Sequence, residues 1–384
     1  MVRKIGMAIF AALLFASPVL AGPKIKQIGP ALAHPWGMDF LSANEVLVSE
    51  RAGRLVKINL TTGEASQISN IPDDIIAKKQ GGLLDVMVDD GFVYLCYSKK
   101  IDGGSVTSID RGVLAGTALT NRTTIFQANK PSRSGLHFGC RMVMHNGHLF
   151  ASLGERGARD NAQDPANHAG SVIRILPDGT IPSDNPALGN PANHDGWAAQ
   201  IYSIGHRNPQ GMTVHPDTGD IWTHEHGPRG GDEINIIAAG ANYGWPVASY
   251  GNEYVTNRPV SDDVTKPGIT GPKWIWTPSI APSGMAFYPN RPVYPDGSGY
   301  QDGSGGDLMF PELAGSLLVG SLKFRRLQQI KLDTDGLPSS ETILFENAIG
   351  RIRDVAVAPD GSILLLNDVS HQSNPPGGLY RLAQ

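Results

Sequence analysis

The sequence predicts an all-β chain folded as a six-bladed β-propeller of four-stranded antiparallel blades. Three observations carry that prediction. Gly and Pro supply 46 and 28 of the 384 residues, about 19% against about 12% in average usage, which favours short strands joined by turns. A hairpin phrase recurs along the whole chain, and helical periodicity is nearly absent. Charge also excludes one class of partner. A net charge of −4 and a pI near 6.3 do not suit broad binding of a nucleic-acid backbone, which needs a strongly basic face.

The first segment reads as a leader. Arg3 and Lys4 precede an apolar run from Ile5 to Ala16, and Val19-Leu20-Ala21 offers small residues for cleavage. The run is too short to span a bilayer. Residues 1–21 are therefore expected to be a signal peptide, and residues 22–384 a single propeller domain. No cysteine follows the cut, so no lipid anchor is expected. Losing Arg3 and Lys4 leaves 30 basic against 36 acidic residues, a charge of −6. With no later membrane span, the mature chain is expected to be soluble and periplasmic or secreted.

The recurring phrase is an apolar strand, a turn rich in Asp, Asn, Gly or Pro, and a second apolar strand. It occupies 38–50, 86–98, 141–155 and 211–225, then 284–290 with 312–322 around a Gly-rich insertion, and finally 355–368. Second strands begin near Val46, Val93, Leu149, Ile221, Leu317 and Ile363, at steps of 47, 56, 72, 96 and 46 residues. Roughly 60 residues per unit fits a propeller blade with variable loops and falls short of the ~100 of an immunoglobulin-type domain.

In such blades the segments leading into each first strand and those leaving each second strand meet on one face. That convergence predicts a channel mouth holding His137, Arg207, Lys323, Arg351 and Arg353. Five cations in a net-negative chain suit a ligand with several carboxylates or phosphates; singly, each could instead pair with acids between blades. His137 is the natural proton acceptor among them, with Glu155 able to orient it. The stretch His224-Glu225-His226-Gly227-Pro228-Arg229-Gly230-Gly231-Asp232-Glu233 admits two metal readings. His224 and His226 could serve zinc, or backbone carbonyls with nearby carboxylates could serve calcium. No third zinc-type ligand stands at a recognised spacing, which favours calcium over zinc; a solvated loop is the bland alternative. Cys96 and Cys140 could pair, but spacing does not decide it. Trp36, Trp245, Trp274 and Trp276 could line a pocket or fill space between blades.

Seven motifs then occur in order: QGGLLD (80–85), HFGCR (137–141), IGHRNPQGM (204–212), EHGPRGGDEIN (225–235), NYGWP (242–246), GSLK (320–323) and RIRDV (351–355). Together they resemble the soluble aldose sugar dehydrogenases that use pyrroloquinoline quinone (PQQ), relatives of soluble quinoprotein glucose dehydrogenase. The likeness runs from about His34 to the C-terminus.

The resemblance implies that His137, partnered by Glu155, takes the proton of the sugar C1 hydroxyl while a hydride passes to the quinone. It implies that Arg207 bonds the reacting quinone oxygen. Gln80, Asn208, Tyr254, Lys323, Arg351 and Arg353 would join Arg207 in binding the cofactor. Carbonyls of Gly227 and Pro228 would hold a Ca2+ acting as a Lewis acid, and Glu233 with the Tyr243 carbonyl a second, structural Ca2+. Implied partners are an aldose and a quinone- or cytochrome-type electron acceptor, with the protein a monomer or homodimer. Leu136 stands where the glucose-oxidising branch has an acid, Glu155 replaces Asp at a spacing one residue shorter, and the Trp276-Thr277-Pro278-Ser279 order shifts a tryptophan by one place. These differences bring the sequence nearer the broad aldose branch. A calcium-dependent propeller lactonase and a non-catalytic sugar-binding propeller are the alternatives.

Overall fold

Six sheets of four antiparallel strands form the molecule in a computed structural model that describes residues 23–190, 192–291, 308–370 and 372–384. The leader and most of the Gly-rich insertion lie outside the described residues. Blade 1 runs through β2 (Pro35–Ser42), β3 (Glu45–Glu50), β4 (Arg54–Asn59) and β5 (Ala65–Ile68). Blade 2 holds β6 (Leu83–Asp89), β7 (Phe92–Ile101), β8 (Gly104–Ala115) and β9 (Ala118–Gln127). Blade 3 holds β10 (Met142–His145), β11 (His148–Ser152), β12 (Ser171–Ile175) and β13 (Ile201–Ile204). Blade 4 holds β14 (Pro209–Val214), β15 (Ile221–Glu225), β16 (Asp232–Ile236) and β17 (Trp274–Trp276). Blade 5 holds β18 (Pro282–Phe287), β19 (Leu317–Ser321), β20 (Arg326–Leu332) and β21 (Pro338–Glu346).

The sixth blade is composite. It joins β22 (Ile352–Val357), β23 (Ile363–Asn367) and β24 (Leu379–Ala383) to β1 (Lys24–Ile28), which pairs antiparallel with β24 from Lys24↔Ala383 to Ile28↔Leu379. The sequence reading did not foresee this closure. It ties the N-terminal strand of the described chain to the last strand and leaves blade 6 with its full four strands.

The second strands are buried along most of their length because both of their faces are covered. Val46 and Val48 of β3 pack with Leu364 and Leu366 of blade 6, whereas Leu47 packs with Leu83, Val93 and Leu95 of blade 2. In β7, Val93 and Leu95 face blade 1 while Tyr94 and Cys96 face blade 3. Strict period-two alternation is therefore absent from these strands. The predicted start of the second strand falls within the observed one in every blade. A Cys96–Cys140 disulfide ties blade 2 to the segment before β10. Among the described residues no helix is long and apolar enough to cross a membrane.

The inner strands β2, β6, β10, β14, β18 and β22 contact one another in a ring around the axis. At one level of that ring, Asp85, Arg141 and Asp354 meet. Arg141 Nη1 donates to Asp85 Oδ1 at 2.9 Å and Asp354 Oδ2 at 3.0 Å. Equivalent positions in blades 1 and 5 are Gly37 and Gly284, and space explains why. A Cβ there would come within 2.7 Å of Asp85 Oδ1 and 2.2 Å of Asp354 Oδ1 respectively. The ion triad ties together the inner strands of blades 2 and 6 through the Arg141 that leads into β10 of blade 3.

Candidate active site

The mouth is assembled from connections between blades and from a long excursion between β16 and β17. His137 sits in the segment before β10 with a left-handed backbone, φ 48°. Its N–H donates to Gln80 Oε1 at 2.7 Å, and its carbonyl accepts from Arg156 N at 3.1 Å. Gly154 passes beneath so closely that a Cβ would approach the His137 carbonyl oxygen to 2.4 Å and Asn208 Oδ1 to 2.9 Å. The side chain is buried, and Nδ1 lies 2.6 Å from Glu155 Oε1. A carboxylate acceptor at Nδ1 fixes the proton there and leaves Nε2 as the basic nitrogen. Burial, and then the charges of Arg207 and Arg156, lower the imidazole pKa against the opposing pull of Glu155.

Arg207 lies on the connection into β14. Its backbone N–H donates to Glu225 Oε2, Nη1 donates to the His226 carbonyl at 2.8 Å, and Nη2 reaches the Tyr254 hydroxyl at 3.5 Å. The guanidinium stands 5.2 Å from the Trp245 ring, over which Arg159 also stacks at 5.4 Å. Trp245 and Tyr254 come from the excursion in blade 4. That excursion is tethered over the mouth by Arg159 Nη1 and Nη2, which bond Glu253 at 2.5 and 2.7 Å, and by Arg229 Nη1, which donates to the Tyr254 carbonyl at 2.8 Å.

Arg351 and Arg353 flank the start of β22. Arg353 stacks 5.6 Å from the Trp36 ring, and Arg351 Nη1 donates to the Leu322 carbonyl at 3.4 Å, beside exposed Lys323. Asn208 Oδ1 accepts from Gly139 N at 3.3 Å. Contacts therefore link His137 to Glu155 and Gln80, Arg207 to Tyr254, and Arg351 to the Lys323 segment. Two buried donors in this region, Arg207 Nε and Arg353 Nε, have no partner, and neither has Glu155 Oε2. Orphaned guanidinium donors fit an anionic ligand with several acceptor oxygens.

A small cavity beside the mouth is lined by Arg207, Glu225, Gly227, Glu233 and Tyr243 among others. Burial and the neighbouring Glu225 push the Glu233 carboxyl well up. Glu225 and Glu233 bring two carboxylates close together there, the kind of hard oxygen donor that calcium takes. The Gly227 carbonyl has no donor among the described residues, whereas the Pro228 carbonyl already accepts from Gly230 N at 2.7 Å and Asn252 N at 3.1 Å. His224 and His226 make no zinc cage. His226 Nε2 lies 2.6 Å from the Pro282 carbonyl, and among the described residues no group of three His, Cys, Asp or Glu side chains gathers to hold a metal.

Sequence reasoning missed Glu225, which bonds both the Arg207 N–H and His206 Nδ1, the latter at 2.9 Å. It stands inside a motif singled out for its histidines and glycines, so its neighbours drew the attention. It also missed Asp368, which meets Arg353 across blade 6 and His34 before blade 1, and Gln210, which meets Arg353 from blade 4.

The glucose/sorbosone dehydrogenase family matches residues 32–381. The chain is 35% identical to the aldose sugar dehydrogenase YliI of Escherichia coli over 368 residues, covering 93% of this chain and 92% of that protein. The apo-form crystal structure of the soluble aldose sugar dehydrogenase from Escherichia coli superposes with a TM-score of 0.81 at 33% identity, covering 94% of this chain and 99% of that one. The PQQ-bound aldose sugar dehydrogenase from Streptomyces coelicolor gives a TM-score of 0.72 at 25% identity, covering 95% and 99%. The chain belongs to the glucose/sorbosone dehydrogenase family.

Proposed function

We propose that the protein oxidises aldoses at C1 to the lactone, using PQQ and Ca2+, and passes the electrons to a quinone- or cytochrome-type acceptor. The observation that carries this reading is a buried, neutral histidine, fixed by a carboxylate, in a mouth where Arg351 and Arg353 share one carboxylate and Arg207 and Lys323 make no ion pair among the described residues. A lactonase would need the metal but not these cations. A passive sugar-binding site would need neither the base nor the metal.

His137 acts as general base. With Nδ1 engaged by Glu155, Nε2 takes the proton of the C1 hydroxyl, and Glu155 steadies the imidazolium that forms. Its lowered pKa keeps it neutral and ready at physiological pH. Bound PQQ supplies a two-electron acceptor for the hydride leaving C1. Lys323, Arg351 and Arg353 would hold its carboxylates, while Gln80, Asn208 and Tyr254 would complete its surroundings. Arg207, preset by Glu225 and His226, would place a guanidinium where negative charge develops. Gly227 would contribute a carbonyl to a catalytic Ca2+, with Pro228 joining once its present donors give way. Glu233 and the Tyr243 carbonyl would hold a structural Ca2+. Leu136, exposed beside His137, gives the sugar site an apolar edge and fits a broad aldose range. Export to the periplasm agrees with the Cys96–Cys140 disulfide, which an oxidising compartment preserves.

The test is reconstitution. Purified protein given CaCl2 and PQQ is expected to reduce a redox dye with several aldoses and to lose that activity on chelation. Cofactor binding without oxidation of any aldose would overturn the substrate class. No cofactor binding would overturn the reading as a whole.

A further inference from the structure

One carboxylate stands among the cations of the mouth, and nothing in the proposed chemistry uses it. Asp368 follows β23 and is buried, 9% exposed. Its Oδ2 accepts from Arg353 Nη2 at 2.9 Å and lies 3.7 Å from Arg351 Nη2, while its Oδ1 lies 2.9 Å from His34 Nδ1. The other end of the Arg353 guanidinium is also held. Nη1 donates to Gln210 Oε1 at 3.0 Å, and Gln210 Nε2 donates to the Gly139 carbonyl at 3.0 Å and reaches Asn208 Oδ1 at 3.4 Å. Arg353 is thus gripped at both Nη atoms above the Trp36 ring, with only the buried Nε unpartnered.

A carboxylate is an odd neighbour for a site meant to attract a tricarboxylate, because its charge repels the ligand. Positioning explains its presence. Arg351 and Arg353 repel each other, and long side chains lose several rotatable bonds' worth of freedom when fixed. A shared buried anion holds both before the ligand arrives and so lowers the ordering cost of binding. Burial opposes ionisation of Asp368, yet Arg353, His34 and Arg351 together hold its carboxyl well below the usual carboxylate range.

Resting on the proposed function, we propose that Asp368 and Gln210 are positioning residues that clamp Arg353 from opposite sides of the mouth and preset it for the cofactor carboxylates. Gln210 extends the clamp from blade 6 to the Gly139 peptide, two residues from His137. The clamp spans the mouth.

The test measures PQQ affinity in the presence of Ca2+, by quenching of tryptophan fluorescence, together with thermal stability. Asp368→Asn keeps the size of the side chain and removes its charge. The clamp predicts weaker cofactor binding, about 10-fold or more given the usual strength of a charge-assisted hydrogen bond, although an anion has been taken away from beside an anionic ligand. In an Arg353→Ala background the same substitution should weaken binding clearly less than it does in wild type, because only the longer contact to Arg351 is left to lose. Asp368→Glu should recover part of the loss. If Asp368→Asn binds as tightly as wild type or tighter, or if its effect adds fully to that of Arg353→Ala, the clamp is wrong. Should Asp368→Asn fail to fold, Gln210→Ala tests the other jaw. Weaker binding at unchanged melting temperature supports the clamp, and unchanged affinity overturns it. Wild-type protein that binds no PQQ overturns the proposed function and the clamp together, whereas wild-type binding with indifferent variants overturns the clamp alone.

Discussion

Arg141 and Arg207 are both buried arginines near the propeller axis, and they differ in what surrounds them. Arg141 has two carboxylates at 2.9 and 3.0 Å, donates from Nε to the Gln210 carbonyl at 3.3 Å, and stacks 4.6 Å from Trp36. Its acids are engaged in turn, with Asp85 accepting from Met142 N at 2.7 Å and Asp354 from Met38 N at 3.0 Å, so the triad joins blades 1, 2, 3 and 6. Arg207 touches a peptide carbonyl and a phenol, and its Nε is orphaned. Among the described residues neither it nor Lys323 makes an ion pair. Counting cations does not separate the two tiers of the channel; counting their partners does. Arg141 is matched by two acids of its own and its charge is structural, whereas Arg351 and Arg353 share one acid and Arg207 and Lys323 have none, so the mouth keeps positive charge for a ligand.

The largest effect expected from this contrast is chemical. His137→Ala should bind cofactor like wild type and lose about 10²–10⁴ in turnover, the usual contribution of a positioned general base. Steady-state rates at saturating PQQ check it, and retained turnover would reassign the base.

Next in size is Arg141→Met, which leaves Asp85 and Asp354 buried without their cation. About 3–5 kcal/mol of stability should be lost, as when one partner of a buried pair is removed. Denaturant unfolding reads it. Should Arg141→Met weaken cofactor affinity while leaving stability intact, the distinction between the tiers would collapse.

The two tiers should also respond to pH in opposite senses. Burial pushes the Asp85 carboxyl up to about 7, with Arg141 opposing and Asp354 adding to the rise. The folded chain then holds a proton that the unfolded chain releases, so this contribution is full in the acid carboxylate range and is lost as pH rises toward 7. Asp368 is depressed, so its contribution is present at neutral pH and is lost as pH falls through and below the ordinary carboxylate range. Melting temperature against pH should therefore lose its neutral-side decline in Asp85→Asn and its acid-side decline in Asp368→Asn.

The smallest effect concerns the acid limb of activity. Neutral His137 is required, and its pKa is lowered, so the limb should lie below about pH 6.5. Glu155 opposes that lowering. Glu155→Gln should therefore move the limb to still lower pH while reducing the rate. A limb that moves upward would contradict the Glu155 contact as the one that matters.

Much of this was legible in the sequence because it is local. Hairpin turns and apolar runs placed every second strand, since each strand's burial is written in its own residues, as in ILLLN at 363–367. The closure of blade 6 was not legible, because KIKQI at 24–28 reads as a strand of no special kind until it meets β24 more than 350 residues later. The same holds for Asp368 and Gln210. His34 stands 334 residues before Asp368 and Arg353 143 residues after Gln210, and nothing in NDVSHQ or NPQGM announces either contact. Tyr254 and Trp245 reach the mouth through an excursion whose path depends on the Arg159–Glu253 contact, 94 residues apart in sequence.

The most direct measurement is a single turnover. Protein loaded with one equivalent of PQQ and excess Ca2+, without external acceptor, is mixed with aldose, and the absorbance of the oxidised cofactor is followed. Wild type should lose that absorbance stoichiometrically, while His137→Ala, carrying the same cofactor, should retain it on the same timescale. Equal bleaching in both proteins, or none in wild type with any aldose tried, would contradict the account.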